Sequence, residues 1–131
     1  MHRRVVLCGS YHRRPDLLQR IFRELEATGC RVLSPLSIDF VDTDEPIVRA
    51  KTEEDFTIDD LERFHLRAMR DADAIWLHAP EGHVGISASF ELGYAHALGK
   101  PVFTLTAPTD EMLTTRVRVV ASVFEALELI R

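Results

Sequence analysis

The chain has 131 residues, 46% hydrophobic and 28% charged, which suits one globular core without disulfide or metal staples and excludes a disordered or fibrous class. Sixteen Lys and Arg against 21 Asp and Glu leave a net charge of −5, which argues against broad binding to a nucleic-acid backbone but not against a small anion held by backbone amides. With no apolar run near the roughly 18 residues of a membrane span, too short an apolar stretch after Arg4 for a secretory leader, and only Cys8 and Cys30 as cysteines, the expectation is one soluble cytoplasmic domain over residues 1–131.

Val5-Val6-Leu7-Cys8 reads as a buried strand stopped by the turn at Gly9-Ser10. Pro15-Asp16 opens a helix in which Leu17, Leu18, Ile21, Phe22 and Leu25 share a face, and Gly29 closes it. Residues 31–33 form a second strand, ended by Ser34-Pro35. The stretch 35–55 carries two prolines and several acids with few helical signals, and reads as a long loop. A helix covers 58–72, Ala74-Ile75-Trp76-Leu77 is a third strand, and 79–84 is a loop. Residues 86–98 are helical and end at Gly99-Lys100-Pro101. Strands four and five fall at 102–105 and 117–121, and Ser122 with Glu125 forms a capping box for the last helix.

Alternation of strands with helices implies an α/β fold: a flavodoxin-like or Rossmann-like three-layer sandwich around a five-stranded parallel sheet of order 2-1-3-4-5. In that order ligands bind outside the carboxyl ends of strands one and three, where Gly9-Ser10-Tyr11-His12 and residues 79–89 belong. The usual occupants do not fit. The first turn has one glycine rather than a dinucleotide fingerprint, no Walker loop is present, and strand three ends Leu77-His78-Ala79 without a phospho-acceptor aspartate. Cys8 ends strand one while Cys30 begins strand two, too far out of register for a disulfide; both read as small buried hydrophobes.

The informative segment is Pro80-Glu81-Gly82-His83-Val84-Gly85-Ile86-Ser87-Ala88-Ser89-Phe90-Glu91-Leu92-Gly93-Tyr94-Ala95-His96-Ala97-Leu98-Gly99-Lys100-Pro101. Small residues at Gly85, Ser87, Ala88 and Ser89 open a helix at the switch point, where free N–H groups and the positive dipole end suit a phosphate or another anion. On a wheel started at Ile86, Glu91 falls near ~140°, on the side of Tyr94, Ala95 and Leu98 and opposite Ser89, His96 and Lys100. A carboxylate on a buried face is costly without partners or a function. On the preceding helix His65 shares the inward face with Leu61, Ala68 and Ala72, while Arg63, Arg67 and Arg70 lie opposite. A core histidine and a site histidine both remain open for it.

Glu91-Leu92-Gly93-Tyr94-Ala95, preceded by small residues and followed by Gly99-Lys100-Pro101, resembles the nucleoside 2-deoxyribosyltransferase family. Cys8-Gly9-Ser10, and Asp71-Ala72-Asp73 before a hydrophobic strand, extend the likeness over nearly the whole chain. In appearance it is nearest to the nucleoside 5′-monophosphate N-glycosidases, of the 2′-deoxynucleoside 5′-phosphate N-hydrolase type. The resemblance implies that Glu91 attacks the anomeric carbon to form a glycosyl-enzyme ester, resolved by water in hydrolases and by a second base in transferases. It also implies that Gly85, Ser87 and Ser89 hold a 5′-phosphate and that Gly9, Ser10 and Tyr11 line the site.

Two positions depart from the pattern. Gly85 stands where transferases carry an acid six residues before the glutamate, which leaves room for a phosphate. His65 stands eight residues before Asp73, where a site aspartate near the nucleobase is common; a histidine there can donate a proton to the base. The resemblance thus implies hydrolysis of the base–sugar bond of a ribo- or deoxyribonucleoside 5′-monophosphate without metal or organic cofactor. Base exchange between deoxynucleosides and a nucleotide-sensing module without turnover are the alternatives. Neither nucleic acid nor membrane is an expected partner. The resemblance further implies a homodimer or larger assembly in which a neighbour completes the site, with 37–55 and 109–118 as candidate contact regions.

Overall fold

Successive side chains of a strand point to opposite faces of its sheet, so a strand covered on both sides must be apolar throughout. Residues 5–8 of strand β1 (Arg4–Gly9) meet this requirement, while Arg4 at its start is exposed. In the computed structural model, which describes residues 2–37, 40–41, 49–50 and 55–130, Val5 and Leu7 enter one core and Val6 and Cys8 the other. Strand β5 (Ala74–His78) repeats the pattern, with Trp76 on the first side and Ile75 and Leu77 on the second.

Around these central strands the chain runs through α1 (Pro15–Ala27), β2 (Arg31–Ser34), β3 (Phe40–Val41), β4 (Arg49–Ala50) and α2 (Ile58–Asp71) before β5. It continues through α3 (Ile86–Ala97), β6 (Val102–Thr104), α4 (Glu111–Thr114), β7 (Arg118–Val119) and α5 (Val123–Leu129). The main sheet has the order β2-β1-β5-β6-β7, all parallel, which is the expected 2-1-3-4-5 arrangement. Leu18, Ile21, Phe22 and Leu25 of α1 and Val123, Ala126 and Leu127 of α5 cover one face. Ala68 and Met69 of α2 and Leu92 and Ala95 of α3 cover the other. Among the described residues no helix is long and apolar enough to cross a membrane.

Helix starts follow local chemistry. Pro15 supplies the first-turn proline of α1. Thr57 and Asp60 form a reciprocal capping box on α2, one that departs from the usual Glu or Gln at its third position and so carries a weaker sequence signal. At α5, Ser122 accepts from the Glu125 amide as expected, but Glu125 Oε2 accepts from the Ala121 N–H, one residue earlier than a standard box. Part of the stretch 35–55 is not loop: β3 pairs antiparallel with β4, Phe40 opposite Ala50 and Val41 opposite Arg49. The rest of the contact region expected at 37–55 lies mostly outside the described residues. Cys8 and Cys30 are free and buried.

The register places Gly9 opposite His78, so β1 and β5 end level at the switch point. Gly9 has φ +131°, and a Cβ there would meet the His78 carbonyl oxygen at 2.2 Å, so only glycine lets the two strand ends approach. Gly82, at φ +80°, lets the loop after β5 close on Ala107 and Thr109 in the same way, and its carbonyl accepts from the Thr109 N–H at 3.0 Å.

Candidate active site

The carboxyl ends of β1 and β2, the loop after β5 and the first turns of α2 and α3 enclose a cavity of about 380 Å³. Gly9, Ser10, Tyr11, His65, Gly85, Ser87 and Glu91 line it. Seven of the eight positions singled out in the sequence therefore meet in one place. The eighth, Ser89, does not line the cavity; its hydroxyl donates back to the Gly85 carbonyl at 2.8 Å, a helix-start bond that leaves it facing its own turn. A second hollow, of about 450 Å³, lies at the amino ends of the strands between Arg3, Thr28 and Phe124. It is remote from the switch point.

Glu91 is 8% exposed. The buried stripe of α3 runs through Ala88, Glu91, Leu92 and Ala95, whereas Tyr94 is half-buried and Leu98 exposed. The expectation that Leu98 shares the buried face is therefore corrected: the stripe is rotated away from it, toward Leu92. Glu91 sits at the border of that stripe, which turns its carboxylate toward the cavity rather than into the aliphatic core.

His65 is buried and joins this centre. Its Nε2 lies 3.5 Å from Glu91 Oε1 and 3.3 Å from Cys8 Sγ, and its Nδ1 lies 2.7 Å from Ser34 Oγ. An aliphatic-core role is excluded by these polar neighbours. Half-buried Leu61 and buried Ala68 keep the inward face of α2, Ala72 is buried just past its end, and Arg63, Arg67 and Arg70 remain outside, as their spacing predicts.

Three neighbours were not anticipated from sequence. Glu62 precedes His65 by three residues on α2 and lines the same cavity. Its carboxyl is pushed up to about 7, first by burial and then by the adjoining Glu91 carboxylate, with His65 pulling the other way. Glu62 Oε1 is buried and has no hydrogen-bond partner among the described residues. Cys8 is more than a small hydrophobe, since its thiol lies against His65, and burial followed by the Glu91 charge pushes it well above the usual thiol range. Ser34, the last residue of β2, holds the far side of the imidazole. The available signals were helical i,i+3 spacing for Glu62 and strand-end position for Cys8 and Ser34.

The first-strand turn is fixed from below. Tyr11 donates its hydroxyl to the Leu7 carbonyl, His78 Nε2–H donates to the Arg13 carbonyl at 2.6 Å, and the Arg13 amide donates to the Ser10 carbonyl at 3.1 Å. Burial pulls the His78 imidazole below its ordinary pKa, which keeps it neutral in this role. Opposite, Gly85 is the N-cap of α3 and offers no side-chain cap. Among the described residues no side chain caps the amides of Ile86, Ser87 and Ala88, and all three residues line the cavity. A Cβ on Gly85 would sit 3.6 Å from Ser10 Oγ and 3.8 Å from His83 Nε2, so these groups converge on the same rim.

This arrangement has one half rich in backbone donors and one half holding a paired carboxylate. The fold is shared with a solved structure of the Clostridium botulinum CMP N-glycosidase BcmB, at 15% sequence identity and a TM-score of 0.63, with 97% of this chain and 98% of that chain covered. No curated protein matches the chain in sequence. The family model for nucleoside 2-deoxyribosyltransferase matches residues 5–127, nearly the whole chain. The chain accordingly belongs to the nucleoside 2-deoxyribosyltransferase family and is an enzyme of the N-glycosyl hydrolase or transferase class.

Proposed function

We propose that the protein hydrolyses the base–sugar bond of a nucleoside 5′-monophosphate, with Glu91 as the nucleophile. The observation that carries this reading is the pairing of a buried, His65-partnered carboxylate with the uncapped start of α3 across one cavity. The amides of Ile86, Ser87 and Ala88, uncapped among the described residues, suit a phosphate, and Gly85 adds no acid to repel it. The C. botulinum protein that shares the fold is a CMP N-glycosidase, which supports a nucleotide as substrate here.

In the first step a Glu91 oxygen bonds to the anomeric carbon as the carbon–nitrogen bond breaks, and that electron pair leaves with the base. Both ring nitrogens of His65 already have partners, so His65 orients Glu91. Glu62, which keeps its proton up to about pH 7, gives that proton to the departing base. In the second step water attacks the anomeric carbon, its proton returns to Glu62, and the Glu91 ester is released. We further propose that copies of the chain associate through the exposed Ile86 and Phe90, four residues apart on α3 beside the cavity.

Mass-spectrometric detection of free base, on incubation with each nucleoside monophosphate in turn, tests the reading. Release of base and sugar phosphate without a second base supports hydrolysis. Turnover only when a second free base is added assigns transfer instead, and no release from any monophosphate refutes the proposal.

A further inference from the structure

Cys8, His65 and Glu91 come from a strand and two different helices, and all three are buried. Their thiol, imidazole and carboxylate atoms lie within 4.8 Å of one another, with the sulfur–nitrogen edge at 3.3 Å and the nitrogen–oxygen edge at 3.5 Å. A point equidistant from the three lies about 2.4 Å from each at the widest, against about 2.0–2.3 Å for zinc bonds to nitrogen, oxygen and sulfur. We propose that these three side chains form a binding site for a zinc-class divalent ion, whose occupancy takes Glu91 out of use as a nucleophile.

The surroundings support a cation of this type. Nε2 can ligate only through its lone pair, which places the ring proton on Nδ1, where Ser34 Oγ at 2.7 Å accepts it. The set of one thiolate, one imidazole and one carboxylate suits zinc or cobalt and disfavours magnesium or calcium, which take oxygen ligands. Binding releases the Cys8 thiol proton to solvent, so ion and thiolate form together. Glu62 places a second carboxylate at the same cavity, with Oε1 buried and without a hydrogen-bond partner among the described residues. His65 and Glu91 line the cavity, which gives the ion its route in and out.

Ion binding does not depend on the glycosidase reading; the inhibitory consequence does, and the two are measured separately. The metal-free chain is titrated with Co²⁺ and followed by absorption. One equivalent should produce a thiolate-to-cobalt charge-transfer band and the strong visible bands of a tetrahedral ion. Cys8→Ser should lose the charge-transfer band, and Cys30→Ser, which changes the other thiol, should keep it. Absence of the band in the wild-type chain overturns the proposal, as does its persistence in Cys8→Ser or its loss in a folded Cys30→Ser. Zn²⁺ should then abolish base release and a chelator restore it; undiminished release from the zinc-loaded protein overturns the inhibitory role while leaving the spectroscopic result to decide binding.

Discussion

Replacing Glu62 by Gln isolates the electrostatics of the candidate site. Glu62 has a folded-state pKa of about 7 against 4.5 for the unperturbed group, because it is partly buried beside Glu91. Between those values the folded chain binds more protons than the unfolded chain, so stability falls as pH rises through this window. At about 1.36 kcal/mol per pKa unit the full shift corresponds to about 3 kcal/mol. The side chain is only half-buried, and solvent screening reduces this to about 1 kcal/mol. Gln removes the charge, so the variant should match the wild type near pH 4.5 and exceed it by about 4 °C in Tm at pH 8. Thermal unfolding followed by circular dichroism between pH 4.5 and 8.5 reads the difference. A gap between the two proteins that stays constant with pH would mean that Glu62 ionises in the folded chain without opposition from Glu91 or burial.

Ser87→Asp puts a negative charge against the free amides of α3 at an exposed position; nucleoside monophosphate binding should vanish by calorimetry with the circular dichroism spectrum unchanged, and retained affinity would discard the phosphate subsite. His65→Gln keeps bulk but not the imidazole, and base release should fall by about 100-fold with Kd changed much less; an equal loss in kcat and affinity would make His65 a substrate-binding group instead. Phe90→Glu places a charge on the exposed apolar face of α3 and should shift the mass measured by light scattering to that of one chain, whereas an unchanged mass would exclude that face as the contact.

The sheet was legible because β1 and β5 are too uniformly apolar to be anything but central strands, and because Gly9 and Gly29 mark where elements stop. Strand β7 has only two residues, and its pairing depends on β6 rather than on any pattern of its own. The β3–β4 hairpin escaped for the same reason, since two-residue strands carry no periodicity. In the site, Glu91 stood out because a carboxylate at its wheel position violates the usual burial rule. Glu62 did not, because one turn away on α2 a carboxylate on the flank is ordinary. Its significance depends on how closely α2 meets α3, a tertiary distance that spacing within one helix does not contain. Cys8 was hidden differently: a small apolar residue at a strand end satisfies the core by itself, and only the approach of His65 gives the thiol a polar role. Ser89 shows the converse, a hydroxyl in the right segment that the first helical turn takes for itself.

All of the proposed chemistry rests on Glu91 carrying the sugar. Base release by Glu91→Gln is therefore compared with that of the wild type, with nucleotide binding followed in parallel and a 2′-fluorinated nucleoside monophosphate used to slow turnover. Glu91→Gln should still bind nucleotide while its release rate falls by orders of magnitude, and the wild type should acquire one sugar phosphate that maps by peptide mass spectrometry to Glu91. Base release by Glu91→Gln at the wild-type rate, or a sugar adduct on another residue, would remove Glu91 from the role of nucleophile.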